Sequence, residues 1–250
     1  MEKDELLKRI VDLADQCERN QHFTTTHFMT PSESFFVENW ASNYDSDINV
    51  VLTGGYPNSE RKIAFFLPYY IDPEHFDYSE YIKCLKIESK YHTLGHRDYM
   101  GALLNLGIKR QWIGDICVIE NSAIVMCSPT IVNTIINNLS IVGKTGVEVM
   151  EISLDSIPEI KHNFKHIQFT VMSLRLDSIV GGMFKQSRSD AAKNINLGKV
   201  CLNYEEALHV DKSVKLNDII SLRGSGKGKI VSIGGTTRKG RIIVDAELYG

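Results

Sequence analysis

The sequence predicts an α+β protein built as three small domains, and three observations carry that reading. The chain has 250 residues, room for one large domain or for two to three small ones. Its middle, about Tyr78 to Ile160, runs in the order β-α-β-β-α-β, the ferredoxin-like split unit. Its last part, about Leu174 to Gly250, gives two helical patterns and then several strand-length runs punctuated by glycine. The boundaries so drawn are 1–77 for an N-terminal α/β domain, 78–165 for the middle domain and 174–250 for the C-terminal one.

The first domain opens on "MEKDELLKRIVDLADQ", where Leu6, Leu7, Ile10, Val11, Leu13 and Ala14 mark an amphipathic helix. Charges from the second residue onward deny it the apolar core of a signal peptide. "TPSE" (Thr30 to Glu33) has the Thr, Pro and Glu of a helix start. "INVVLTGGYPNSERKIAFFLP" (Ile48 to Pro68) predicts two strands around the turn-forming "GGYPNSE".

In the middle domain "YIKCLKIES" alternates like a strand. "RDYMGALLNLG" (Arg97 to Gly107) has helical spacing at Met100, Leu103 and Leu104 and a glycine stop. "IGDICVIE" and "SAIVMCS" are β-branched runs joined by a tight "NS". "PTIVNTIINNLSIV" (Pro129 to Val142) predicts one helix with Ile131, Ile135, Leu139 and Val142 inward, and "GVEVMEIS" the last strand. RNA-recognition domains share this order but carry aromatics on their central strands. Neither central run here has one, so RNA binding by this segment stays open.

In the C-terminal domain Ile179, Val180, Met183 and Phe184 stripe the first helix. Ser187, with Asp190 three residues on, caps the second as a variant capping box. Ala191, Ala192 and Ile195 turn toward the first helix, and Gly198 takes the left-handed stop. "KVCLN", "DIISLRG", "KGKIVSI" and "GRIIVDAEL" read as strands.

Composition and motifs narrow the function classes. The hydrophobic fraction of 43% and charged fraction of 24% are those of a folded globular chain. The best apolar run, "IAFFLPYYI", falls short of the roughly 20 residues that span a bilayer. Five scattered cysteines without a CxxC pair predict reduced thiols in a cytoplasmic protein. "IVGKT" and "GSGKGK" both fail the phosphate-loop pattern, and no GxGxxG, GxSxG or HExxH occurs. The pairs His92/His96 and His162/His166 have metal-compatible spacing if helical, but no further ligand stands near in sequence, so surface histidines are the preferred reading. No catalytic residue, metal or cofactor is assigned.

The net charge of −3 conceals a division. Ser173 to Gly250 has 13 Lys+Arg against 8 Asp+Glu, or +5, and the remainder is −8. Such asymmetry points to nucleic-acid contact by the basic end, or to an ordinary solvated surface.

"RLD" at Arg175 to Asp177, "SRSDA" at Ser187 to Ala191, "INLGKVCLN" at Ile195 to Asn203 and "VKLNDIIS" at Val214 to Ser221 together resemble the alpha-L motif of S-four RNA-binding domains. "LGHRDYMGALLNLGIKRQWIGDICV" (Leu94 to Val118) and "GTTRKGR" near the end resemble the YlmH-type family. That resemblance covers nearly the whole chain. It implies an N-terminal domain, an RNA-recognition-like middle domain and a C-terminal S-four platform of two helices on a small sheet. It further implies a factor that binds ribosomal RNA of the large subunit and peptidyl-tRNA in the rescue of stalled nascent chains, beside a factor that adds C-terminal tails. A role in cell division and septum placement attaches to the same family. Pseudouridine synthases and some RNA methyltransferases also carry S-four domains, so an RNA-modifying enzyme is the remaining alternative. Here "RLD" precedes the helix pair, which makes Asp177 a structural helix-start residue. "RGSGKGK" (Arg223 to Lys229) departs from the family in lacking an aromatic, so no stacking contact is assigned to that loop.

Arg188, in the first turn of the second helix, is the leading RNA contact, because Arg grips phosphate through two parallel bonds beside a positive helix end. Arg175, Lys185, Lys199 and Asn203 complete that patch. Arg223, Lys227, Lys229, Arg238, Lys239 and Arg241 lie in glycine-rich loops, read as a second set of RNA contacts or as a mobile basic hairpin. Lys193, five residues beyond Arg188, is turned well away on the helix and is read as solvated.

Overall fold

The computed structural model describes residues 3–89, 94–158 and 164–249, and the chain forms two compact units, Met1–Ile160 and Lys161–Gly250.

The first unit begins with α1 (Lys3–Asn20), whose Leu6, Ile10, Ala14 and Cys17 recur at helical spacing and are buried. After β1 (Thr24–Thr25), α2 (Pro31–Ala41) starts on a full capping box. The Thr30 hydroxyl accepts from Glu33 N at 3.3 Å, while the Glu33 carboxylate accepts from Thr30 N at 2.8 Å. β2 (Asn49–Thr53) and β3 (Ile63–Leu67) pair antiparallel on either side of "GGYPNSE", giving the order β1-β3-β2. All five residues of β3 are buried, because it is covered on both faces. Ala64 and Phe66 join the α1 core, while Ile63, Phe65 and Leu67 belong to a second cluster.

A second sheet follows, from β4 (Lys83–Ser89), α3 (His96–Asn105), β5 (Ile113–Ile119), β6 (Ser122–Cys127), α4 (Pro129–Asn138), β7 (Ile141–Val142) and β8 (Thr145–Ile152). Its order, β5-β6-β4-β8-β7, is the ferredoxin-like arrangement with a short extra edge strand. Two details differ from the sequence expectation. α4 stops at Asn138 rather than reaching Val142: Leu139 is extended (ψ 92°), and Ile141 and Val142 leave the helix to pair with Gly146 and Thr145 across the left-handed Gly143. Leu139 and Val142 still reach the core, which is why helical spacing fitted them. In α3 the buried residues are Tyr99 and Leu103, with Leu104 exposed.

The second unit comprises β9 (Phe164–Val171), α5 (Leu176–Met183), α6 (Arg188–Asn196), β10 (Val200–Leu202), β11 (Glu205–Glu206), β12 (Ile219–Leu222), β13 (Gly226–Thr236) and β14 (Ile242–Tyr249). The strands form one sheet in the order β11-β10-β12-β13-β14-β9. β9 lies outside the strands that the sequence predicts, and it pairs with β14 from Ile242↔Val171 to Tyr249↔Phe164. One side of this sheet packs against the helix pair in a core that includes Ile179, Val180, Met183, Ala191, Ile195, Ile220, Ile230 and Val244.

All five cysteines are free thiols. Burial pushes Cys84 and Cys127 up to about 12, so both are unreactive packing groups. Among the described residues no helix is long and apolar enough to cross a membrane.

Candidate nucleic-acid interface

The helix pair is assembled by close approach. Gly181 lets the start of α6 come near, since a Cβ there would lie 3.2 Å from Gln186 O; at Gly182 it would lie 2.3 Å from the Phe169 ring of β9. The chain leaves α5 through Lys185 in the left-handed region (φ 54°), and Gln186 N donates back to Gly181 O. Ser187 then caps α6: its hydroxyl accepts from Asp190 N at 3.1 Å and donates to Asp190 Oδ2 at 2.6 Å. The Asp190 side chain turns to the hydroxyl rather than to the cap backbone, so half of the expected box forms.

This geometry sets Arg188 in the first turn of α6 opposite Asp177 in the first turn of α5. Arg188 Nε donates to Asp177 Oδ2 at 2.9 Å. Arg175 approaches the same carboxylate, Nε to Oδ1 at 3.3 Å and Nη2 to Oδ2 at 3.5 Å. Asp177 is only 5% exposed, and its Oδ1 also accepts Ser178 N at 2.8 Å. Burial pushes this carboxyl up, but the hydrogen bonds and charges of Arg188 and Arg175 outweigh that and hold it below the ordinary range. The two arginine side chains remain 59% and 40% exposed. Two cations about one carboxylate leave a net positive group at the surface.

A second pair of basic residues meets at the far end of α6. Gly198 (φ 64°) closes a Schellman motif, with Gly198 N donating to Ile195 O and Lys199 N to Asn194 O. Lys199 O then accepts Arg223 N at 2.9 Å, which brings these two exposed cations to one end of the β10–β12 ladder.

The other predicted residues are placed elsewhere. Lys227 and Lys229 alternate with buried Gly228 and Ile230, so they lie on the sheet face turned away from the helices. Arg238 and Lys239 are exposed at the β13–β14 hairpin tip. Arg241 donates to Thr170 Oγ1 at 2.9 Å and Thr170 O at 2.7 Å, which ties the hairpin base to β9. Asn203 (φ 53°) is engaged in its turn, donating to Asp218 Oδ1 and accepting from Ile219 N, both at 2.8 Å. Lys193 is exposed on α6.

The sequence reading missed two aromatics. The Lys227 ammonium lies 4.3 Å from the Tyr249 ring centroid and 5.8 Å from that of Tyr204. "RGSGKGK" has no aromatic of its own, but strand pairing sets Tyr249 opposite Lys227. Cross-strand register, which the sequence does not display, makes that meeting.

In the middle domain's sheet, β4 and β6 are covered on both faces. Leu85, Ile87, Val125 and Cys127 pack with α3 and α4 on one side. Cys84, Ile124 and Met126 pack with Phe28, Ile63, Phe65 and Leu67 on the other. Of the histidines considered for metal, His166 lies in a strand with Nε2 3.4 Å from Glu247, whereas His92 and His162 fall outside the described residues. Among the described residues no three His, Cys, Asp or Glu side chains gather as a metal site.

Residues 2–68 match the family model described as "YlmH, N-terminal", and residues 73–156 match "Putative RNA-binding domain in YlmH". The chain is 31% identical over 216 residues to "Ribosome-associated protein quality control protein P2" of Bacillus subtilis (strain 168), covering 86% of this chain and 82% of that protein. A solved structure, "Cell division protein ylmH from Streptococcus pneumoniae", superposes with a TM-score of 0.54 at 21% identity, over 63% of this chain and 96% of that one.

Proposed function

The chain belongs to the YlmH family, and on that premise we propose that it is a non-catalytic, cytoplasmic RNA-binding factor of the large ribosomal subunit that acts in quality control of stalled nascent chains. In this reading it contacts ribosomal RNA and peptidyl-tRNA and works beside a factor that adds C-terminal tails. The observation that carries it is the exposed Arg175–Arg188 pair held together about Asp177 at the starts of the two helices. Lys185 in the turn between the helices, and Lys199 with Arg223 beyond α6, extend the same kind of surface. The other predicted residues, Lys227, Lys229, Arg238, Lys239 and Arg241, stand apart from this surface and outside the proposed interface, and Asn203 holds the turn between β10 and β11. The domain division proposed is 1–77, 78–165 and 174–250, except that β9 (Phe164–Val171), with the last two residues of the middle range, goes to the C-terminal domain because it pairs along the length of β14.

Phosphate contacts make such binding salt-dependent. The test is sedimentation of the protein with purified large subunits at low and high salt. Co-migration at low salt, lost at high salt and on Arg188→Glu, is the expected result; no co-migration at low salt refutes the reading. The acidic remainder, at −8, favours a second reading, an adaptor at the division site that docks a protein partner. Septal localisation that survives Arg188→Glu would support that reading.

A further inference from the structure

We infer that Asp177 is a positioning residue for RNA binding, holding Arg188 by its Nε so that both terminal Nη groups face one backbone phosphate together. This rests on the proposed role of the helix-pair edge as an RNA contact. A guanidinium offers phosphate two parallel bonds either from its Nε–Nη side or from its Nη–Nη end. Arg188 spends Nε on Asp177 Oδ2 at 2.9 Å, and its side chain makes no other hydrogen bond among the described residues. The end-on pair is therefore free, on a side chain that is 59% exposed. Arg175 faces the carboxylate with both Nε and Nη2, so its Nη1 remains as a supplementary donor.

The carboxylate is itself fixed. Its Oδ1 accepts Ser178 N at 2.8 Å, the backbone N–H of Asp177 donates to Val210 O at 3.1 Å, and the residue is 5% exposed. A long, rotamer-rich side chain held this way gives up its freedom on folding rather than on binding, the gain that preorganisation brings. One anion thus orients two cations 2 and 11 residues away in sequence.

By charge alone, removing a carboxylate beside a polyanion site tightens binding. By positioning, the same change weakens it. Full-length wild type, Asp177→Asn, Arg188→Gln, Arg188→Lys and the double variant Asp177→Asn/Arg188→Gln are titrated against purified large ribosomal subunits, with a thermal melt of each. Asp177→Asn is expected to weaken binding about tenfold, the worth of one hydrogen bond to a charged group. In the Arg188→Gln background the same change adds less than about twofold, because Asp177 acts through Arg188. Arg188→Lys, which keeps the charge but not the fork, loses nearly as much as Arg188→Gln.

A folded Asp177→Asn that binds as wild type or tighter overturns the inference. So does an effect that persists in full without Arg188. If Asp177→Asn does not fold, wild-type affinity of Arg188→Lys overturns it instead. Wild-type affinity of Arg188→Gln would refute the RNA contact itself, a result distinct from a failure confined to Asp177.

Discussion

At Gly182 a Cβ would lie 2.3 Å from the Phe169 ring, whereas at Gly101, also within a helix, it would meet nothing within 4 Å. The two alanine variants should therefore move stability in opposite directions. Gly182→Ala forces α5 off β9 and is expected to cost about 1–3 kcal/mol, as overpacking does. Gly101→Ala removes a helix-interior glycine in open space and should gain roughly 0.4–1 kcal/mol. Thermal melts of both check this, and a destabilised Gly101→Ala would refute the assignment of open space. Residue scale is also where the sequence was least informative about the site. Arg188 stood out because a cap, a basic residue and a helix start are local patterns. Asp177 read as a helix-start residue because the partner that makes it more, Arg188, lies across a turn between two helices. Tyr204 and Tyr249 gave no signal near Lys227 in the chain, since the turn and register that bring them close are tertiary.

Elements were far more legible, because caps, glycine stops and apolar period are written locally. The Thr30–Glu33 box and the Gly198 stop fall where the residues place them. α4 is shorter than its apolar spacing suggests because Leu139 and Val142 enter the core from extended backbone at positions that also suit a helix. β9 is hard to see in the sequence although "IQFTV" alternates, since it lies between the expected domains and its partner, β14, is more than 70 residues on. "SAIVMC" carried a further message: a run apolar at nearly every position, rather than at alternate ones, belongs to a strand buried on both faces. Residues 73–156 expressed alone would expose Cys84, Ile124 and Met126, which Phe28, Phe65 and Leu67 cover in the longer chain. Such a patch favours association. That fragment should bind a hydrophobic dye and self-associate in sedimentation, and residues 3–156 should do neither. A monomeric, dye-silent short fragment would show the cover to be dispensable.

For the molecule as a whole, charge is divided by segment, with +5 over Ser173 to Gly250 and −8 over the rest, yet the structure does not gather the basic residues on one surface. Arg175, Lys185, Arg188, Lys199 and Arg223 lie along the helix pair and the strand end it leads into. Lys227 sits against Tyr249, and Arg241 is bonded to Thr170. Counting charge in the sequence sums all of these, while an RNA backbone engages only those that face it together. Salt dependence separates the two cases, because log affinity falls with log salt by about 0.7–0.9 for each phosphate neutralised. Five contacts give a slope near −4, so raising salt fourfold should weaken binding to large subunits roughly 250-fold. Engagement of all ten candidate cations, with Lys227, Lys229, Arg238, Lys239 and Arg241 added to those five, would double the slope and weaken binding more than about 10,000-fold over the same range. The expected slope is the smaller one, falling by about one unit in Arg188→Gln and staying unchanged in Lys239→Gln. A wild-type slope near −8 would instead bring the sheet face and the hairpin tip onto the RNA along with the helix pair.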